Sequence, residues 1–296
     1  MMSKTVVITG ANSGLGLETC KNFVNEGYRV VMAIRNLEKG KKAKEELLVL
    51  YPKAEIDLFY LNLADLSTVH DFVRDFTKKY DELDLLINNA GVMIPPYSKT
   101  EEGFELQFGC NHLGHFTLTA LLLPLLEKGK SPRVITLSSI AYRNGEIDFN
   151  NLDGRKGYKA MKFYCQSKLA NLLFAKELDD RLKEAKYKTK SLAAHPGISS
   201  TNLFNLGKEK TPWFIKLLMK LISQPASKGA LPIIMAATND TLKGGEFIGP
   251  DGLGNRKGNP AIQTPQKDVY NKETMKQLWD VSEQLTGVTF NIKKYK

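Results

Sequence analysis

The chain has 296 residues, enough for one large domain, and its composition of 42% hydrophobic and 25% charged residues is that of a globular protein with a sizeable core. A net charge of +10 comes from 42 Lys and Arg against 32 Asp and Glu. The densest basic runs, Lys39–Lys44, Lys183–Lys190 and Lys293–Lys296, interleave no aromatics in the manner of a nucleic-acid surface, so they read as solvated faces. Cys20, Cys110 and Cys165 lack paired spacing, which excludes a disulfide framework and suits a reducing compartment. The sequence shows no signal peptide and no apolar run of about 18 residues, so a cytoplasmic protein is expected.

In chain order, Thr5–Ile8 is a buried strand, followed by a Gly-rich turn and a helix over Gly14–Glu26. Strand Arg29–Ile34, helix Leu37–Leu50, strand Ile56–Leu61, helix Leu66–Tyr80 and strand Leu83–Ile87 continue the alternation. A helix over Gly103–Leu126 leads to strand Arg133–Leu137, and a long helix over Tyr158–Lys186 leads to strand Ser191–Ala194. Ala226–Thr238 reads as helix, Phe247–Ile248 as a last strand and Lys272–Leu285 as a terminal helix. Such alternation predicts an α/β fold: one doubly wound domain over residues 1–296, with a parallel sheet of about seven strands and helices on both faces. Residues 199–224 form an irregular substrate-loop or lid segment and 251–296 a C-terminal extension.

Thr9-Gly10-Ala11-Asn12-Ser13-Gly14-Leu15-Gly16 lies between the first strand and first helix. A diphosphate there needs close backbone approach and a helix N-terminus, which Gly10, Gly14 and Gly16 permit. A glycine-rich turn without ligand is the alternative. The second strand ends in Arg35-Asn36, with Lys39 one turn on, where an acidic residue would hold a free ribose hydroxyl. A guanidinium suits a 2′-phosphate, which favours NADP over NAD.

Tyr164 and Lys168 stand at i and i+4, about 6 Å apart at Cβ on one helix face. An ammonium so placed favours phenolate, and a tuned phenol exchanges a proton with a carbonyl or alcohol oxygen. Ser138-Ser139 ends the strand Arg133–Leu137, at the sheet edge where open α/β folds hold ligands. Asn88-Asn89-Ala90-Gly91 follows the fourth strand and either braces the sheet or lines the cofactor cleft.

Taken in order, TGxxxGxG, NNAG, Asn111, Ser139 and YxxxK resemble the short-chain dehydrogenase/reductase family over about residues 4–250. The strings NHLGHFTLT (Asn111–Thr119), YCQSKLANLLF (Tyr164–Phe174) and HPG (His195–Gly197) are similar to its retinol dehydrogenase and protochlorophyllide reductase-like branch. The resemblance implies Tyr164 as acid/base. It implies Lys168 lowering the Tyr164 pKa and binding the nicotinamide ribose, Ser139 positioning the substrate oxygen, and Asn111 holding a relay water. It also places Asn12, Ser13, Leu15, Asn62, Leu63, Asn89, Ala90, Gly91, Pro196, Gly197 and Thr201 around the cofactor. Asn62 stands where many members have Asp, and its amide oxygen still accepts from an adenine amine. Ser139 and Tyr164 are 25 residues apart, longer than in many members, and the membrane-anchoring N-terminal helix of many retinol dehydrogenases is missing from the sequence. The implied activity is NADP(H)-dependent interconversion of a carbonyl and an alcohol. Alternatives are C=C reduction by the same residues and a non-catalytic NADP-binding regulator.

His112 and His115 lack the further ligand that a metal pair needs, so they read as packed or hydrogen-bonded, and no metal is expected. Cys165, at i+1 from Tyr164, reads as a small buried residue. Trp213–Ile222 is apolar with lysines at i and i+4. It reads as a lid over a bulky apolar substrate, as an interfacial membrane contact, or as a packed helix. By the resemblance, helices Gly103–Leu126 and Tyr158–Lys186 form dimer faces, so a homo-oligomer is open.

Overall fold

Alternate side chains of the first strand go to opposite faces of one sheet: Val6 and Ile8 pack with one helical layer, Val7 with the other. In this computed structural model, which describes residues 3–198 and 224–292, the sheet has the order β3-β2-β1-β4-β5-β6-β7-β8. The strands are β1 Thr5–Thr9, β2 Arg29–Ile34, β3 Ile56–Tyr60, β4 Leu85–Asn88, β5 Arg133–Leu137, β6 Lys190–Ala194, β7 Phe247–Pro250 and β8 Pro260–Gln263. The first seven run parallel, and β8 adds to β7 in the antiparallel sense. Strands buried on both faces need apolar side chains both ways, hence the near-continuous Val/Ile/Leu runs of β1, β2 and β4.

The sheet therefore has eight strands where about seven were expected. β8 belongs to the 251–296 segment. It is short, begins on a proline and leaves Ile262 exposed, so it lacks the apolar run that marks the other strands.

Helices α1 (Gly14–Asn25), α2 (Leu37–Leu50) and α6 (Ala226–Thr238) cover one face, through Phe23, Leu47 and Ile233. The opposite face carries α3 (Leu66–Thr77), a composite helix that we label α4, and α5 (Ala160–Glu184). α4 begins as Leu106–Phe108, widens into a π turn over Gly109–Leu113 and continues as Gly114–Leu126.

The terminal helix α7 (Lys272–Thr286) closes over α4 and α5. Trp279 and Phe290 meet Phe116 at ring centroid distances of 5.3 and 4.9 Å, and the Arg181 guanidinium stacks 4.3 Å from the Trp279 ring. This side of the helix pair is thus covered by the chain's own C-terminal segment. Among the described residues no helix is long and apolar enough to cross a membrane.

Candidate active site

Strand order reverses direction at β1, which pairs with β2 on one side and β4 on the other. The crevice beyond the strand ends at such a switch point is where this architecture holds ligands. A cleft of about 370 Å³ opens there. It is lined by Gly10, Asn12, Ser13, Gly14, Leu15 and Gly16 from the turn, by Arg35, Asn36 and Lys39 after β2, by Asn62 and Leu63 after β3, and by Asn89, Ala90 and Gly91 after β4. The cleft lining thus holds every residue expected from these four segments.

The turn is built to admit a diphosphate. Gly10 and Gly14 have φ of +65° and +53°, the left-handed region that favours glycine. Ser13 starts α1 in an extended conformation and its side chain caps nothing, which leaves the first N–H groups of the helix facing the cleft. A Cβ on Gly16 would stand 2.4 Å from the Gly10 carbonyl oxygen and 2.7 Å from Asn89 Nδ2. Gly16→Ala is expected to cost roughly 1–3 kcal/mol and to weaken cofactor binding, read by thermal melting and dinucleotide titration. Parent-like values in both would show that the turn has slack.

At the far wall, Asn36 Oδ1 caps α2 by accepting from the Lys39 N–H at 2.9 Å. Arg35 and Lys39 are exposed at the mouth and form no ion pair among the described residues, so two cations face the cleft unneutralised. Asn62 Oδ1 accepts from the Ala64 N–H at 3.3 Å, so the acceptor expected to meet adenine is already partly used. The NNAG segment does both things expected of it. Asn88 braces the interior by donating to Thr119 Oγ1 at 2.9 Å, while Asn89 Nδ2 donates to the Thr9 carbonyl at 2.7 Å at the cleft edge.

Asn111 and Lys168 pack against Gly91 of the cleft: a Cβ on Gly91 would lie 3.2 Å from Asn111 Oδ1 and 3.5 Å from Lys168 Nζ. The two serines at the end of β5 divide their work by strand alternation. Ser138 Oγ turns inward and donates to the Lys168 carbonyl of α5 at 2.7 Å. Ser139 Oγ accepts from the Ala141 N–H at 3.2 Å, and its hydroxyl lies near enough to the Tyr164 phenol to favour the phenolate. Lys168 Nζ donates to the Leu137 carbonyl at 3.2 Å and lies 5.9 Å from the Tyr164 ring centroid. Asn111 spends its side chain on structure: Oδ1 accepts from Val92 N–H at 2.8 Å, and Nδ2 donates to the Val92 carbonyl at 3.0 Å and to Ser167 Oγ at 2.9 Å. It thereby ties the loop after β4 to α5, one residue before Lys168.

Electrostatics here differ from the expectation. Burial pushes the Tyr164 phenol up to about 12, with the Ser139 hydroxyl acting against it, and burial pulls Lys168 down to about 8. Desolvation is the largest cause at both groups, and it holds the Tyr164 phenol above its ordinary value of about 10. At neutral pH the site holds a protonated phenol beside an ammonium with one carbonyl partner.

His195, at the end of β6, accepts from the Gly197 N–H at Nδ1, and Gln224 Nε2 donates to the Pro196 carbonyl. Gly197 has φ of +66° and no room for a Cβ against the Arg256 carbonyl. Thr201 and the Trp213–Ile222 stretch lie outside the described residues. Sequence reasoning passed over Thr9, whose hydroxyl accepts from the Asn89 and Ala90 N–H groups at 2.9 Å each. It also passed over Val92 and Cys110 in the cleft wall. No local pattern marks a threonine at a strand end for partners some 80 residues away. His112 hydrogen-bonds Ser282 of α7 at 2.8 Å, and Cys165 is buried. Among the described residues no three His, Cys, Asp or Glu side chains gather as a metal set.

Comparison with known proteins agrees with this geometry. The family described as short chain dehydrogenase matches residues 4–211. Retinol dehydrogenase 11 of Mus musculus is 38% identical over 287 residues, covering 96% of this chain and 87% of that protein. Retinol dehydrogenase 12 of Mus musculus is 37% identical over 290 residues, covering 96% and 87%. The crystal structure of an uncharacterised protein from Mycobacterium paratuberculosis has a TM-score of 0.80 at 40% identity, covering 97% of this chain and 94% of that one. The chain therefore belongs to the short-chain dehydrogenase/reductase family, in its retinol dehydrogenase-like branch, and is an oxidoreductase that uses a nicotinamide cofactor.

Proposed function

We propose that this protein is an NADP(H)-dependent oxidoreductase that interconverts a carbonyl and an alcohol on a bulky apolar substrate. The observation that carries the reading is the gathering of the Ser139 hydroxyl, the Tyr164 phenol and the Lys168 ammonium beyond β5, with Lys168 against Gly91 of the dinucleotide cleft. A bound nicotinamide supplies the hydride; the chain's task is the proton and the charge.

In the reducing direction, the Tyr164 phenol, held protonated by burial, gives its proton to the substrate oxygen as negative charge develops there. Ser139 donates a second hydrogen bond to the same oxygen, and Lys168 stabilises the phenolate that remains. Lys168 also presents N–H donors toward Gly91 and the cleft, suited to a ribose hydroxyl. Asn111 holds the Val92 loop and α5 in register, which keeps Lys168 beside the cleft. The free, buried cysteines suit a reducing cytoplasmic setting. The relatives are named for retinol, an apolar alcohol, which supports an apolar substrate class.

Arg35 and Lys39, two unneutralised cations on the adenosine side, support NADP over NAD. Removing a charge-assisted contact costs about 1.5–3 kcal/mol, so Arg35→Ala is expected to raise the KM for NADPH by roughly 10- to 100-fold and leave that for NADH nearly unchanged. The test of the whole reading is a panel of aldehydes, ketones and quinones of increasing size, followed by NADPH absorbance with parallel NADH runs. Rates that rise with apolar bulk and favour NADPH are expected; faster turnover with NADH would overturn the cofactor assignment.

A further inference from the structure

His115 lies 1% exposed on α4, one turn beyond Asn111. Its Nδ1 is 3.0 Å from the Asn111 main-chain carbonyl oxygen, and its Nε2 is 2.9 Å from Thr9 Oγ1. A carbonyl oxygen only accepts, so Nδ1 carries the proton. With one proton on the ring, Nε2 is an acceptor and the Thr9 hydroxyl donates to it. Burial pulls the imidazole down to about 4, in keeping with a neutral ring. The Thr9 oxygen in turn accepts from the Asn89 and Ala90 N–H groups, both at 2.9 Å. Every bond in the set then runs one way: Asn89 and Ala90 to Thr9, Thr9 to His115, His115 to Asn111. The Ile87 carbonyl, 3.4 Å from Thr9 Oγ1, is the competing acceptor and sits too far to replace Nε2 well.

The two ends of this set belong to different parts of the site. Thr9 adjoins Gly10 of the phosphate turn, and Asn89 and Ala90 line the cleft. Asn111 holds Val92 and Ser167, and lies with Lys168 against Gly91. The π turn sends the Gly114 N–H back to Gly109, five residues, so the regular α-helical ladder is broken where Asn111 stands. The ring of His115 fixes the Asn111 carbonyl in that break.

We propose that His115 is a positioning residue, its neutral ring holding the Asn111 carbonyl at a set distance from the Thr9–Asn89–Ala90 cluster and so spacing the phosphate turn from the Lys168 end of the site. This rests on the reading of Lys168 and Tyr164 as the reacting end. The two ring nitrogens serve different ends, so their losses separate. His115→Phe keeps the ring volume and loses both bonds. His115→Asn keeps an amide donor near Nδ1, and His115→Gln keeps a polar group near Nε2.

The loss of one hydrogen bond at each end predicts that His115→Phe lowers kcat about fivefold and weakens NADPH binding, titrated by protein fluorescence, about fivefold. His115→Asn restores kcat but not affinity; His115→Gln restores affinity but not kcat. Parallel loss in all three variants, as a packing role would give, or no loss in any, overturns the proposal. Nitrogen-15 NMR of the four imidazoles in the unaltered protein decides the geometry without any variant or turnover. A proton on Nδ1 and a bare Nε2 at His115 is expected; an Nε2–H tautomer or an imidazolium overturns the proposal. A parent protein that shows this tautomer yet reduces no carbonyl would sink the functional reading and leave the hydrogen-bond assignment standing.

Discussion

Tyr164→Phe is expected to lose about a thousandfold in kcat for carbonyl reduction while binding NADPH within about threefold of the parent. The substitution removes one oxygen from a phenol that the fold has already dried and kept protonated, pushed up to about 12. The ring still fills its place on α5, so the cofactor wall loses only the phenol oxygen. General acids contribute roughly a hundred- to ten-thousandfold, and here the Ser139 hydroxyl remains to hydrogen-bond the substrate oxygen without being able to protonate it at useful rate. Single-turnover rates with saturating NADPH, beside a fluorescence titration of the cofactor, separate the two quantities. Retention of most of the rate would move the proton donor to another residue.

Lys168→Met is expected to lower kcat at least about a hundredfold and to leave the melting temperature at neutral pH at or above that of the parent. The two effects have one cause. Burial pulls Lys168 from 10.5 to about 8, which means that its charged form at neutral pH costs the fold roughly 3 kcal/mol. That cost is full below pH 8. It is relieved as pH rises from about 8 toward 10.5, where the unfolded chain still holds the proton and the folded one has lost it, so the lysine makes stability climb with pH across that window. The methionine variant lacks the penalty and the slope. Melts at a series of pH values read both, and a variant that melts well below the parent at neutral pH would show that the Leu137 bond outweighs the desolvation of the ammonium. The same titration sets the rate profile: reduction falls as pH rises through about 8, when Lys168 loses the charge that stabilises the phenolate.

The parallel sheet was legible because strands covered on both faces must be largely apolar, and β1, β2, β4 and β5 carry near-continuous apolar runs. β8 was not legible, since Pro260–Gln263 lies at an edge and needs no apolar face. Turn chemistry made the phosphate-binding segment legible: glycines at 10, 14 and 16 meet a need for positive φ or for close approach that few other residues satisfy. The choice of Ser139 over Ser138 was accessible from sequence only through the resemblance, and Ser138 Oγ is occupied by the Lys168 carbonyl. What stayed hidden is long in sequence and short in space. Thr9 and His115 are 106 residues apart with their polar atoms 2.9 Å apart, and nothing in the local pattern of either predicts the other as partner. The π turn at Gly109–Leu113 leaves no mark on hydrophobic period, because that whole helix is buried. The direction of the Tyr164 shift was missed for a related reason. Charge spacing along a helix is visible in sequence, whereas the burial that outweighs it is a property of the packed layers.

In the proposed reaction a proton from Tyr164 and a hydride from NADPH go to the oxygen and carbon of one carbonyl group. NADPH deuterated at its hydride-bearing carbon, supplied with a bulky apolar α,β-unsaturated aldehyde, tests it in one experiment read by mass spectrometry and NMR. An allylic alcohol with deuterium on the former carbonyl carbon is expected. Deuterium on the β-carbon of a saturated aldehyde, or no transfer with any aldehyde or ketone offered, would contradict it.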